Sequence, residues 1–444
     1  MKLKYFFLFI IVLLNIGQLR AEVLSRAEAV AAALNANPGV LRTRQQLKLL
    51  DGRITEERSN ALPDISTRGT MFRYNDPSLL NSSSFDSFPA ELRDLMKPVA
   101  SNMWEGGIDV RQTLYSFKVG KAIRAARLAR TLGGADLRRA QQEIALETVK
   151  AYNALLYATE QVRVQRNALE RKEKHLEITR NRREAGVATE LEVLRSQVDV
   201  ENQRAEVTRV EGGVDLARAQ LNALMLRPMD TPITPSDTLQ YVPADFLLED
   251  VLREAMANRP DLEVAELTES VRQQLVGVAK AESKPSVDFV GSYGRSTRKP
   301  ENFLDRDFTK WSTAISIKFP IFDGKRTAGR VAQAEAEVGK AKQDKIALQN
   351  QVRLQAMDAL VKLNVAGRLI SAAQLNVEQA RKALDMTQAN YNYGAATILD
   401  VTDAQNALVQ AENTLAIALQ QHADARATVN FVMGHDPVEL RRRK

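Results

Sequence analysis

The sequence contains no cysteine, which excludes disulfide frameworks, thiolate metal sites, cysteine nucleophiles and a lipidated N-terminal cysteine together. Histidine is nearly as scarce. His175, His422 and His435 are the only three, and no two are close enough to form a helical ligand pair. Glycine (21) and proline (14) are few for 444 residues, so long uninterrupted elements are expected, helices above all. No run of 18 apolar residues occurs after the N-terminus, so no transmembrane helix is expected. There is no glycine-rich phosphate loop, no G-x-S-x-G elbow and no metal-spaced His/Cys set. Nothing therefore marks an enzyme, a cofactor or a metal site. The net charge of +7 is spread along the chain, apart from Arg441, Arg442, Arg443 and Lys444. A nucleic-acid footprint is more clustered than this, and no nucleic-acid partner is expected.

What is present begins with a targeting pattern. Lys2 and Lys4 precede an apolar run from Tyr5 to Ile16, broken only by Asn15, and Gly17 to Ala21 follow. That charged, apolar, small-residue order is a secretory signal peptide. The run, about 12 residues, is too short for a span that needs roughly 20. Residues 1–21 are read as the signal, cleaved after Ala21, and the mature protein as exported. An exported chain without cysteine or a membrane helix is periplasmic, secreted, or an outer-membrane β-barrel.

The remainder is one unit written twice. Asn37-Pro38 aligns with Arg259-Pro260 and Leu62-Pro63 with Lys284-Pro285 at a shift of 222. Trp104 aligns with Trp311 at 207, so the first copy has the longer loop between these anchors. Gly186 and Leu191 then match Gly394 and Leu399, and Leu221-Asn222 matches Val429-Asn430, at 208. The first repeat is placed at 22–228, a proline-rich linker at 229–245, the second repeat at 246–437 and a basic tail at 438–444.

Each copy reads as one helix, two strands and two more helices. The first helix, about 36 residues, is expected to run unbroken to Pro63 or Pro285. Strands are expected at 62–76 and 103–116, and at 285–297 and 309–322. Apolar Trp311, Ile315, Ile317 and Ile321 alternate with Ser312, Ser316 and Lys318; Trp104, Ile108, Val110 and Leu114 alternate with Glu105, Asp109 and Arg111. Such alternation with aromatic ends marks a membrane-spanning strand, and it equally suits a half-buried soluble sheet. The joining stretches Asp76 to Asn102 and Ser296 to Lys310 fit exposed loops.

Long proline-free helices are expected at 117–183 and 325–391, each roughly 100 Å at 1.5 Å per residue. Glycine breaks them, and helices at 188–226 and 396–434 return. These carry heptad seams: Val193, Val200, Val207, Val214 and Leu221, then Val401, Leu408, Leu415, His422 and Val429, with Ala404, Ala411, Ala418 and Ala425 interleaved. His422 within a seam reads as a core histidine rather than a ligand. If the strands span a membrane, four cannot close a barrel, since about eight is the smallest number. Open edges are not tolerated in lipid, so the barrel must then be shared between chains. An exported periplasmic coiled-coil adaptor or scaffold is the alternative, disfavoured by two hairpins and two amphipathic strand pairs.

The duplicated plan, the helix lengths and two turn segments resemble the TolC family of outer-membrane efflux and secretion channels. The turns are Ala185-Gly186-Val187-Ala188-Thr189-Glu190-Leu191-Glu192-Val193 and Tyr391-Asn392-Tyr393-Gly394-Ala395-Ala396-Thr397-Ile398-Leu399-Asp400-Val401, continuing Thr402-Asp403-Ala404. The second is close to the family's Tyr-x-x-Gly, then Leu-Asp-Val-x-x-Ala. The resemblance implies a mainly α chain whose four strands join a shared 12-stranded barrel in a homotrimer, above a long α-helical coiled-coil barrel. It implies an outer-membrane location in a Gram-negative-type cell, a passive duct, a periplasmic adaptor and an inner-membrane pump as partners, and contact with outer-membrane lipid. By the same likeness, Tyr391 and Glu192 hold the periplasmic tip closed, Asp400 and Asp403 constrict it, and Gly186, Val187, Gly394 and Ala395 form the tip that docks the adaptor. Ala396 departs from the pattern, standing where known members carry an arginine of the closing network. Arg195, at the copy-one equivalent of Asp403, could pair with a carboxylate.

Simpler roles compete. Thr189/Glu192 and Thr397/Asp400 have capping-box spacing just after a glycine, and capping alone explains both carboxylates. Asp403 lies one turn further in, where capping does not reach. Gly186 and Gly394 need only permit a tight turn.

Overall fold

The computed structural model describes residues 22–75, 77, 88–95 and 100–438. The signal sequence and nearly all of the basic tail lie outside the described residues. In chain order the first half gives β1 (Glu22–Leu24), α1 (Arg26–Ala36), α2 (Pro38–Ser59), β2 (Asp64–Tyr74), α3 (Ala90–Leu95), β3 (Ser101–Ser116), α4 (Phe117–Glu184) and α5 (Glu190–Leu224). The second half gives β4 (Ile233–Pro235), α6 (Leu248–Asn258), α7 (Pro260–Ala281), β5 (Ser286–Thr297), β6 (Thr309–Lys318), α8 (Arg326–Asn392) and α9 (Ile398–Val432).

Proline corrects the expectation of one unbroken helix before each strand pair. Pro38 and Pro260 lack an N–H and sit at the first position of α2 and α7, where none is needed, so α1 and α6 stop just before them. Proline also ends β6 early. The alternation continues to Ile321 in sequence, but pairing stops at Lys318, ahead of Pro320.

Two units emerge, and neither is a sequence copy. One comprises 1–46, 133–265 and 344–444; the other comprises 47–132 and 266–343. Each draws on both copies, because β3 of the first copy pairs with β5 of the second.

The first unit is helical, with a short parallel pair, β1 on β4, that no periodicity announced. It has two main apolar cores made from equivalent positions. Ala29, Ala33, Tyr152, Leu155, Ala217, Leu221 and Met225 build one. Val251, Ala255, Leu360, Leu363, Ala425, Val429 and Met433, their counterparts at the shifts above, build the other. The heptad seams are buried at Val193, Val200, Val207 and Leu221, and at Val401, Leu408, His422 and Val429. His422 meets Tyr241 edge-on, with centroids 4.9 Å apart.

The second unit holds a four-stranded antiparallel sheet of order β2-β3-β5-β6. Register sorts its side chains by face. Ile65 and Met71, Trp104, Ile108 and Val110, Phe289 and Tyr293, and Trp311, Ile315 and Ile317 share one face, on which Arg73 and Arg295 are charged exceptions towards the connected ends of β2–β3 and β5–β6. Arg68, Glu105, Asp109, Arg111, Asp288, Ser292, Lys310 and Ser312 share the other. Among the described residues, the apolar Ile65, Ile108, Tyr293, Trp311, Ile315 and Ile317 are exposed, and β2 and β6 each leave one edge unpaired. Gly107 and Gly294 face each other across β3 and β5: a Cβ on Gly107 would lie 2.6 Å from the Tyr293 carbonyl oxygen.

Candidate gate at the helix turns

Both long helices end alike. Gly186 takes φ +77°; its N–H bonds the Arg183 carbonyl at 2.9 Å, and that of Val187 bonds Arg182 at 2.9 Å. Gly394 takes φ +79°; its N–H bonds Tyr391 at 3.0 Å, and that of Ala395 bonds Asn390 at 2.8 Å. Each paired closure satisfies two carbonyls that the helix end would leave open, and its left-handed residue favours glycine. Nothing lies within 4 Å of a Cβ built on either glycine, so backbone conformation alone demands them. All four residues of the closures are exposed.

Capping accounts for one of the two proposed carboxylates completely. Asp400 Oδ2 accepts from Thr397 Oγ1 and from Thr397 N–H, both at 2.7 Å, while Thr397 Oγ1 accepts from Asp400 N–H at 3.3 Å. The Thr397 hydroxyl, then its backbone N–H, hold the Asp400 carboxyl below its ordinary value of 3.8. Glu192 gives Thr189 only its N–H, at 3.3 Å; its carboxylate has no hydrogen bond among the described residues. Asp403 is exposed one turn into α9, with no ion pair among the described residues. Arg195 likewise has no ion pair there. It lines a groove of about 500 Å³ with Leu191, Leu194, Val198 and Leu399, while Asp199 accepts from the Thr402 hydroxyl at 3.2 Å.

Tyr391 lies inside the chain, 3% exposed. It packs on Ile398 and Val401, with Ile178 and Ala396 at the margin. Two residues that sequence reasoning missed hold it. Arg182 lies over the ring, 4.7 Å from its centroid, and donates through one nitrogen to the carbonyls of Tyr391 at 2.9 Å and Asn392 at 3.0 Å. These are the last carbonyls of α8, where a cation also meets the negative end of the helix dipole. The His175 ring also lies beside it, tilted by 55° with centroids 5.1 Å apart. Burial pushes its imidazole below the ordinary 6.5, opposed in part by Asp199. The staple from α4 to the end of α8 thus comes from Arg182, and Ala396 plays only a packing part.

A family model described as outer membrane efflux protein matches residues 29–225 and 251–435, one stretch in each copy. The chain belongs to this family. Nodulation protein T of Rhizobium leguminosarum bv. trifolii is 24% identical over 92% of this chain and 85% of its own. Outer membrane protein TolC of Vibrio cholerae is 24% identical over 88% of this chain and 86% of its own. The crystal structure of the outer membrane protein VceC of Vibrio cholerae superposes with a TM-score of 0.75 at 18% identity, covering 92% and 96% of the two chains. The mainly helical fold with its few strands is therefore that of the outer membrane efflux proteins, whose members are channels of the outer membrane rather than enzymes. This outer membrane efflux protein is an exit duct of the efflux and secretion type.

Proposed function

We propose that three copies of this outer membrane efflux protein close one 12-stranded barrel, each giving β2, β3, β5 and β6. The observation behind this reading is the sheet itself: one apolar face, one charged face and two unpaired edges. Lipid tolerates neither an open edge nor an unpaired backbone group. Pairing β6 of one copy with β2 of the next satisfies both and turns the face of Arg68, Asp109 and Arg111 towards the lumen. Each chain brings two repeats, 22–228 and 246–437, so two helical hairpins per copy end in the turns at Gly186 and Gly394. We place the gate there. Asp403 supplies an unpaired carboxylate from each copy, and three around an axis attract cations and repel anions. Asp400 and Glu192 cap or flank the same helix starts, and Tyr391 with Arg182 fixes the turn that carries Asp403. The exposed closures Gly186-Val187 and Gly394-Ala395 fit the tip of a periplasmic adaptor, which couples the duct to an inner-membrane pump. The duct has no energy source of its own.

Reconstitution in planar bilayers tests the gate. Asp403→Ala should raise single-channel conductance and relieve block by divalent cations. Unchanged conductance and unchanged block would remove Asp403 from the pore.

A further inference from the structure

The connection between β5 and β6 does not stand away from the sheet. Two short 3-10 turns, Pro300–Leu304 and Arg306–Phe308, fill it. Thr297 pairs with Trp104, so the connection leaves the sheet at the level of that tryptophan. It then doubles back. The Phe303 ring meets Gly106, where a Cβ would come within 2.6 Å of its Cζ. Gly106 lies between Trp104 and Ile108 on the apolar face, two residues nearer the middle of the strand, about 7 Å along it. Arg295, the register partner of Gly106, donates to the Phe303 carbonyl at 3.3 Å. The Thr297 hydroxyl donates to the Lys299 carbonyl at 3.1 Å and accepts the Lys299 N–H at 3.2 Å. The Phe303 end of the segment therefore lies on the apolar face, and the N–H groups of Lys299, Asn302, Asp305, Asp307 and Phe308 are paired within it.

We propose that residues 299–308 form a strap lying along the lipid–water boundary outside the barrel, with Phe303 and Leu304 turned to the acyl chains, rather than a lid over its mouth. The inference rests on the reading that the apolar face meets lipid. Four observations support it. On the polar face Glu105 holds both Ser296 and Lys310, on the opposite side from Phe303; Arg298, where the chain leaves β5, donates to the Tyr74 hydroxyl of that face at 3.5 Å, and the strap proper begins after it. Leu304, beside the anchored Phe303, is 80% exposed among the described residues. Charged Lys299 and Glu301 on one side, and Asp305, Arg306 and Asp307 on the other, bracket Phe303-Leu304. That spacing puts apolar groups in the acyl boundary and charges among headgroups. Finally, the chain has two tryptophans, Trp104 and Trp311, both on this face and at this rim. Tryptophan is the side chain that marks the lipid–water boundary. Because β2, β3, β5 and β6 run from helices at their other ends, this rim is the one away from the periplasm, and the lipid met is that of the outer leaflet.

Absence of cysteine makes the test clean, because one introduced cysteine is a unique attachment point. Leu304→Cys and, as a control on the sheet face, Ile315→Cys are each labelled with an environment-sensitive fluorophore. The trimer is reconstituted in phosphatidylethanolamine–phosphatidylglycerol vesicles containing lipopolysaccharide. Quenching by a nitroxide carried on the acyl chain is compared with quenching by aqueous iodide. Both labels should be quenched by the lipid nitroxide and shielded from iodide. Adding Phe303→Ala should abolish lipid quenching at position 304 and leave position 315 unchanged. Lipid quenching at 315 with iodide quenching at 304 overturns the strap alone. Iodide quenching at both overturns the lipid-facing sheet itself. Lipid quenching at 304 that persists in the Phe303→Ala protein also overturns the proposal, since the ring would not be what holds the strap down.

Discussion

Removing Arg182 should loosen the second helix turn while leaving the rest of the chain intact. Its guanidinium bonds two carbonyls at the end of α8 and lies over the Tyr391 ring. A hydrogen bond from a charged group is worth about 1.5–3 kcal/mol when buried, and an exposed cation–π contact about 0.5–1 kcal/mol. Arg182 is only half buried, and Tyr391 O keeps a second donor in Gly394 N–H. The expected cost of Arg182→Ala is therefore about 2–4 kcal/mol, or about 30- to 1000-fold in the local opening equilibrium. Native-state hydrogen exchange reads this directly at the Gly394 and Ala395 amides, which the closure protects. Both should exchange faster by that factor in Arg182→Ala, while amides in the core around Val251, Leu363 and Val429 keep their rates. Arg182→Lys should recover a small part, because an ammonium replaces the charge but not the planar fork over the ring. Equal exchange at Gly394 and Ala395 in the wild type and Arg182→Ala would refute the staple. Equal acceleration everywhere would show a general loss of stability instead.

Two further outcomes follow from other contacts. Gly107→Ala should weaken the barrel by more than the usual 1–3 kcal/mol of overpacking, since its methyl meets backbone rather than a movable side chain. Gly69→Ala, with nothing within 4 Å of its Cβ, is the control, and heat-modifiable gel mobility of the trimer is the readout; equal mobility shifts would discount the close approach. The His175 imidazole is held below 6.5 when folded, so the opened tip binds a proton that the folded tip does not. Tip stability is then full above pH 6.5 and declines as pH falls through that value towards the folded one. Exchange at Gly394, corrected for intrinsic rate, should be faster at about pH 5.5 than at about pH 7.5. His175→Phe should remove the difference; its persistence would assign the pH response elsewhere.

Much of this was legible in the sequence because it is written in periodicity. The two-residue alternation around Ile315 and Ile108 defines a sheet face, the proline-free runs define α4 and α8, and glycine before Thr189 or Thr397 defines a turn and a cap. Each of these is local. The staple is not: Arg182 and the Tyr391 carbonyl are 209 residues apart, and an arginine near a helix end gives no sign of which helix it will cap. Tyr391 is marked by its place in a motif, but its burial beside His175 depends on three helices, α4, α8 and α9, meeting. The pair β1 and β4 was invisible for a different reason, since three residues are too few to show a period. The breaks at Pro38 and Pro260 were available all along, in the same dipeptides that align the two copies.

The pairing of β3 with β5 also sets an order of events. Thr113 and Asp288, hydrogen-bonded across these strands, are 175 residues apart. A chain emerging N-terminus first therefore presents a finished β2–β3 hairpin with an open apolar edge long before its partner arrives. Such an edge recruits other chains readily. Everything between, including all of α4 and α5, must cross the inner membrane during that wait. Biogenesis is accordingly a race between completing the chain and aggregating its first half.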